Sequence, residues 1–243
     1  MMNIGYVGIM LAAVGTGFGI ARWTQRGLGL RPRERWGIGL GAFVGAMIGA
    51  KLPFVFEDWE AFRSGAAWFA NGKTILTGLV GGYAGVEAAK WALDIRTRTG
   101  DSFVVPVAAA IGIGRLACFY AGCCYGIPTH LPWGVVFSRV DSLPRHPTQL
   151  YESLFHLGLA GLFAGLAARN LFPGQRIKLY LISYAAYRFA SEWLRPEVQL
   201  VAGLTGYQIA SALIAVLFAW LWWRDVRSAT LGPAKSSADA DLK

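Results

Sequence analysis

SFVVPVAAAIGIGRLACFYAGCC, residues 102–124, stays apolar for long enough to cross about 30 Å of hydrocarbon as a helix rising about 1.5 Å per residue. Its single charge is Arg115. Read outward from this run, the chain offers six more of similar character, at roughly 4–21, 36–56, 74–93, 150–168, 177–194 and 205–223. The composition agrees: of 243 residues 55% are hydrophobic and 15% charged, with a mean hydropathy of +0.42. Soluble domains carry about 25% charged residues. The expected fold is therefore an all-α polytopic membrane protein with about seven transmembrane helices and short outer-face cap segments at 57–73 and 125–149. A cytosolic enzyme and a disordered or fibrous chain are excluded. The 31 glycines point to small-residue contacts between helices, where backbones approach closely enough for dispersion to hold them together in lipid.

The formal net charge of +9 is a matter of topology and not of nucleic acid, because the basic residues fall in short loops. The loops around Arg22–Arg35, Lys90–Arg98 and Arg169–Lys178, together with the end of the chain from Arg224, hold most of them. The intervening loops hold only Arg63, Lys73, Arg139, Arg145 and Arg195. By the positive-inside rule the first set is cytoplasmic, which places the N-terminus outside and the C-terminus inside. No basic region precedes the first run, so it reads as a span and not as a cleaved signal. A membrane domain is expected over 1–227 and a disordered cytoplasmic tail over 228–243. No internal repeat is visible, which argues against a transporter built from two similar halves.

A charge near the bilayer centre costs about 2.5 to 3.5 kcal/mol on insertion scales, so each one needs a reason. Arg115 lies about 20 Å along its span, in the outer half together with Lys51, Glu152, His156, Arg188 and Glu192. Tyr180, Tyr184, Arg188, Glu192 and Arg195 follow at steps of three or four and make one stripe; Gln149, Glu152 and His156 make a second, and Arg115, Cys118, Gly122 and Tyr125 a third. The expectation is that all three face one cavity open to the outer leaflet. Plainer readings stand beside it. Arg188 with Glu192 is equally the pattern of a structural ion pair, Glu87 with Lys90 reads as structural, His156 as a core histidine and Lys51 as a snorkelling side chain. Arg115 has no acidic neighbour within a turn, so its partner comes from another helix or from an anionic ligand. Guanidinium forks bind phosphate oxygens bidentately, and a phospholipid headgroup is the anion at that depth.

The segments GIGRLACFYAGCCYGIPT (112–129), RHPTQLYE (145–152), YAAYRFASEWLRPE (184–197) and GKTILTGLVGG (72–82) together resemble, in order and spacing, the bacterial prolipoprotein diacylglyceryl transferase family. The resemblance implies a multi-pass enzyme of the bacterial inner membrane. Such an enzyme moves a diacylglyceryl group from phosphatidylglycerol, or another anionic phospholipid, to the lipobox cysteine of an exported preprotein, and needs no cofactor or metal. By position Arg115 matches the family's phosphate-binding arginine and Gly126 the glycine closing that signature. Arg188 and Glu192 match the paired residues of the sixth span, and Gln149, Tyr151 and Glu152 a run assigned to substrate binding. Cys118, Ala121 and Cys123 replace the family's asparagine, asparagine and glutamate; its third-span histidine aligns with Leu76 or Thr77, and its first-span tyrosine with Val7. The base that makes the substrate thiolate is then to be sought at His146, Glu152 or Glu192. Two other readings are carried. One is a non-catalytic lipid-binding or lipid-transport relative. The other is a thiol or metal role for Cys118, Cys123 and Cys124, against which stand the adjacency of the last two and the lack of a nearby fourth ligand.

Overall fold

In the computed structural model, which describes residues 4–57, 60, 63, 64 and 74–230, seven α-helices form one bundle. They are α1 (Ile4–Thr24), α2 (Pro32–Glu57), α3 (Ile75–Ala92), α4 (Asp101–Ala121), α5 (Thr148–Ala168), α6 (Arg176–Ser191) and α7 (Gly206–Thr230). Five of them, α1, α2, α4, α5 and α7, are long and apolar enough to cross a membrane. Helices α3 and α6 have 18 and 16 residues. The surface is inverted relative to a soluble protein: Leu11, Phe43, Leu154, Leu213 and Val216 are exposed, while Gln149, Glu152, His156, Glu192 and Gln208 are buried. Hydrocarbon around the bundle accounts for both halves of that pattern. The protein is an all-α polytopic membrane protein.

The seven expected runs all appear as helices, and the differences lie at their ends. Helix α4 stops at Ala121 and not at 124, because Gly122 turns left-handed. Helix α6 stops at Ser191, with Glu192–Leu194 in a 3-10 turn. Helix α2 begins at Pro32, four residues before the apolar run. Proline is preformed for the first helical position, and the Glu34 carboxylate accepts the Arg31 backbone N–H at 2.7 Å. Helix α7 continues to Thr230, beyond the expected start of the tail at 228. Asp225 stays on it by pairing with Lys178 at 2.6 Å, and Arg227 lies over the Trp223 ring. The remainder of the expected tail, 231–243, and most of the expected cap segment 57–73 lie outside the described residues.

The helices pack in antiparallel pairs, α2 on α3, α1 on α4, α4 on α5 and α6 on α7. Glycine sets the closest of these contacts. A Cβ at Gly45 would lie 2.2 Å from the Gly81 carbonyl oxygen, and one at Gly85 would lie 2.1 Å from that of Gly41. The core, built from Val104, Ala108, Phe163, Tyr180, Tyr184 and Phe218, surrounds α6. At the end of the bundle where α4 and α6 finish, two short hairpins cover the helices. Val135–Val136 pairs with Pro144–Arg145, and Gln199–Val201 with Leu204–Thr205. The second was not expected, because its turn signal is only Ala202-Gly203, both with positive φ.

Gly81→Ala should force α2 and α3 apart and destabilise the protein by about 1 to 3 kcal/mol. Gly158→Ala, where nothing lies within 4 Å of the added carbon, should leave stability unchanged or raised. Unfolding temperatures of the two variants in detergent check this, and equal temperatures would contradict the packing argument.

Candidate functional site

Between the ends of α4 and α6, beneath the hairpins, lies a cavity of about 470 Å³. Arg115, Arg188 and Arg195 line it, with Tyr184, Tyr207, Leu76 and the turn from Gly122 to Tyr125. Each guanidinium is oriented by a different device. Arg115 leaves α4 and meets the Glu152 carboxylate of α5, so its partner does come from another helix. Arg195, just past the end of α6, reaches the same Glu152 oxygen at 2.9 Å. Tyr184 donates its hydroxyl to the other oxygen at 2.6 Å. Glu152 is fully buried, and three donors replace its lost hydration. Arg188 pairs with Glu192 one turn on and lies 4.4 Å over the Tyr207 ring. Thr205 in turn donates to Glu192 at 3.0 Å. Thr205 also caps α7 in a reciprocal box, accepting from the Gln208 N–H while Gln208 accepts from its own.

Three guanidiniums thus face two buried carboxylates, with the exposed Glu197 at the rim. Among the described residues, Nε of Arg115 and Nε of Arg195 have no acceptor. Those two atoms are themselves buried, and it is the excess of three guanidiniums over two carboxylates that leaves positive charge on the cavity wall, which favours an anion there.

Not every expected residue faces that space. Of those singled out from the sequence, Arg115 and Arg188 line it; Glu152 and Glu192 stand one layer behind, against the arginines. The α5 stripe does not open into the cavity, a correction to the expectation of three converging stripes. Gln149, Glu152 and His156 are each fully buried and engaged with neighbouring helices. The amide of Gln149 donates to the Cys123 carbonyl, and His156 Nδ1 is 3.0 Å from the Tyr180 hydroxyl. His156 is thus the core histidine expected. His146 is not among the cavity-lining residues; its Nδ1 faces the Tyr151 hydroxyl at 3.2 Å, and that hydroxyl accepts from Trp133 at 2.8 Å. Tyr151 and His146 thereby brace the first hairpin. Gly126 is there for space. A Cβ would lie 2.5 Å from the Leu194 carbonyl and 2.7 Å from the His146 Cβ, and its N–H donates to the His146 carbonyl at 2.9 Å. Arg145 sits over Tyr125 and pairs with Asp141, and the guanidinium holds that carboxyl below its ordinary range.

Arg195 was missing from the expected site residues, although the three-residue step from Glu192 placed it on the α6 stripe. Tyr207 carried no local signal, since it enters from α7. Leu76, one of the two positions aligned with the family's histidine, does line the cavity, so an apolar side chain occupies that wall. A second cavity, of about 360 Å³, runs between α2, α3, α4 and α6 and is lined by Phe43, Met47, Gly78, Gly82 and Val107 among others. Thr74 and Ile75 belong to both walls, so the polar cavity and the apolar cleft adjoin at these residues.

Glu152→Gln removes the charge shared by Arg115 and Arg195 and should cost about 3 to 5 kcal/mol of stability. Tyr184→Phe, which deletes one bond to that carboxylate, should cost about 1.5 to 3 kcal/mol. Thermal unfolding in detergent ranks the two, and a neutral Glu152→Gln would mean that the carboxylate is not the tie.

Comparison with known proteins bears directly on this arrangement. The sequence model of the family described as prolipoprotein diacylglyceryl transferase matches residues 2–224. A protein of Zymomonas mobilis named phosphatidylglycerol–prolipoprotein diacylglyceryl transferase is 30% identical over 82% of this chain and 73% of its own length. One of the same name from Gloeobacter violaceus is 32% identical over 76% and 75%. A Clostridium perfringens protein, named as the second such transferase, is 29% identical over 66% of each chain. The chain spans about two thirds of the length of the clostridial relatives, 66% and 65%. With four motifs in register, seven helices in the expected order and a family match over nearly its whole length, the chain belongs to the prolipoprotein diacylglyceryl transferase family.

Proposed function

We infer that the protein is a phosphatidylglycerol–prolipoprotein diacylglyceryl transferase of the bacterial inner membrane, with its cavity near the outer surface, its N-terminus outside and its C-terminus inside. The observation that carries this reading is that a cavity lined by three guanidiniums adjoins an apolar cleft, with Thr74 and Ile75 in the walls of both. A soluble anion needs only the first part and a hydrocarbon chain only the second. A phospholipid needs both, joined at the depth where headgroup meets acyl chain.

In the reaction the lipobox cysteine of the preprotein attacks, as thiolate, the glycerol carbon that carries the phosphate ester. The carbon–oxygen bond breaks and glycerol phosphate departs with the electron pair. Charge therefore builds on the leaving phosphate oxygen. Arg115 and Arg188 meet that charge with preorganised donors, held in place by Glu152 and Glu192, and Arg195 adds a third cation beside Arg115. The hairpin between α4 and α5 supports the Arg115 side of the cavity from above. The basic loops at the opposite end of the bundle support the orientation.

Arg115→Ala and Arg188→Ala should each lower transfer of the diacylglyceryl group to a lipobox peptide by about 100-fold or more, with phosphatidylglycerol in detergent micelles. Transfer undiminished in both would remove the clamp. Phosphatidylglycerol binding without any transfer by the unmodified protein would select the lipid-binding relative instead. Orientation is checked by alkaline phosphatase fusions: activity is expected after Arg139 and none after Arg227, and the reverse would invert the topology.

A further inference from the structure

The transfer needs its substrate thiol as thiolate, yet among the described residues no histidine lines the cavity. Two cysteines stand at this wall and a third lies next to them. Cys118 occupies the last turn of α4, and Cys123 and Cys124 line the cavity beside the guanidiniums. The adjacency of the last two would ordinarily send their side chains apart. Here Gly122 takes φ +70 and closes α4 through paired bonds, Gly122 N–H to Phe119 and Cys123 N–H to Cys118. Cys124 then takes φ +61, a conformation uncommon for a residue with a side chain. The chain doubles back and the three sulfurs come within 4.8 Å of one another, with Cys123 and Cys124 3.8 Å apart. Neighbouring groups anchor that turn. Thr148 donates to the Cys124 carbonyl at 2.7 Å, and Gln149 to that of Cys123.

The spacing suits a metal better than a disulfide. Sulfurs at the corners of a tetrahedron with metal–sulfur bonds of about 2.3 Å lie about 3.8 Å apart. The Cα atoms of consecutive residues are about 3.8 Å apart, short of the roughly 4.4 to 6.8 Å that disulfides span. Softness points the same way, since thiolates select zinc-like ions over magnesium or calcium. Three thiolates around a divalent ion carry a net negative charge, and Arg115 lies 3.9 Å from the Cys118 sulfur, so the local field favours the anionic complex. Three ligands leave a tetrahedral ion with one open position, the arrangement of catalytic zinc.

We propose that Cys118, Cys123 and Cys124 bind a divalent, thiophilic cation of the zinc type, and that its open position takes the preprotein's cysteine as thiolate for alkylation. The proposal rests on the transferase reading of the same cavity and supplies its nucleophile, joining to it the metal role that the sequence offered only as a separate reading of these cysteines. The substrate thiol loses its proton to water on binding the ion. The thiolate sulfur forms its bond to the glycerol carbon as the carbon–oxygen bond breaks, and the electron pair leaves on the phosphate beside Arg115 and Arg188. The thioether that results is a weaker ligand than the thiolate and is released. Nothing is oxidised or reduced.

The test uses the full chain in detergent with phosphatidylglycerol, and cobalt(II) or zinc(II) as probe. About one equivalent of metal should bind per chain, and cobalt should show thiolate charge-transfer absorption that Cys118→Ser and Cys124→Ser abolish. A lipobox peptide should change the cobalt spectrum, and the same peptide with serine for cysteine should not. Chelation should lower transfer by about 100-fold and added zinc restore it, a reading in the unmodified protein that does not depend on the variants folding. Full transfer after complete metal removal, or a cobalt spectrum indifferent to the peptide thiol, overturns the proposal and leaves the transferase reading standing. A spectrum that responds to the peptide thiol, in a protein that transfers nothing with or without zinc, keeps the thiol site and overturns the transferase reading instead.

Discussion

One buried carboxylate ties the site together. Glu152, on α5, accepts from Arg115 of α4, Tyr184 of α6 and Arg195 of the segment after α6. Without it, two guanidiniums would repel across a low-dielectric space, and the cost of burying them would fall on the fold. A third buried acid would cancel the remaining positive charge. The balance of three guanidiniums against two buried carboxylates lets one cluster both hold helices together and keep attraction for an anion. Stability and binding therefore draw on the same side chains, and the arginines cannot be judged as purely structural or purely functional.

Much of the fold is legible in the sequence because apolarity alone sets which segments enter lipid. The seven runs are visible without any tertiary knowledge. Their charged ends are not, since Pro32 and Asp225 are helical for local reasons, a proline at the first position and a lysine across the bundle, that hydropathy does not register. The site is legible in proportion to how local its contacts are. Arg188 and Glu192 are one turn apart and announce each other; Arg115 and Glu152 are separated by 37 positions and do not. The helical period says which residues of α5 share a face but not whether that face meets a cavity or a neighbouring helix. The cysteines are the extreme case: their convergence depends on two left-handed residues, Gly122 and Cys124, and only the first is signalled by its type.

The cap is assembled from backbone, not from side-chain packing alone. Gly126 and Ile127 donate to the carbonyls of His146 and Leu194, and Thr129 to that of Pro144. The turn that carries the cysteines is thus joined to the hairpin before α5 and to the end of α6. Elements that come from distant parts of the chain are held in register at the one place where guanidiniums, thiols and the hairpin must all be positioned.

The glycine contact between α2 and α3 has a mechanical consequence. With backbone against backbone at Gly41, Gly45, Gly81 and Gly85, nothing compressible lies between the two helices, so they form a single stiff slab. Helix α3 meets α6 over only a short stretch by comparison. The seam between α3 and α6 is therefore the compliant one, and strain on the bundle is taken up there before the two-helix slab itself gives.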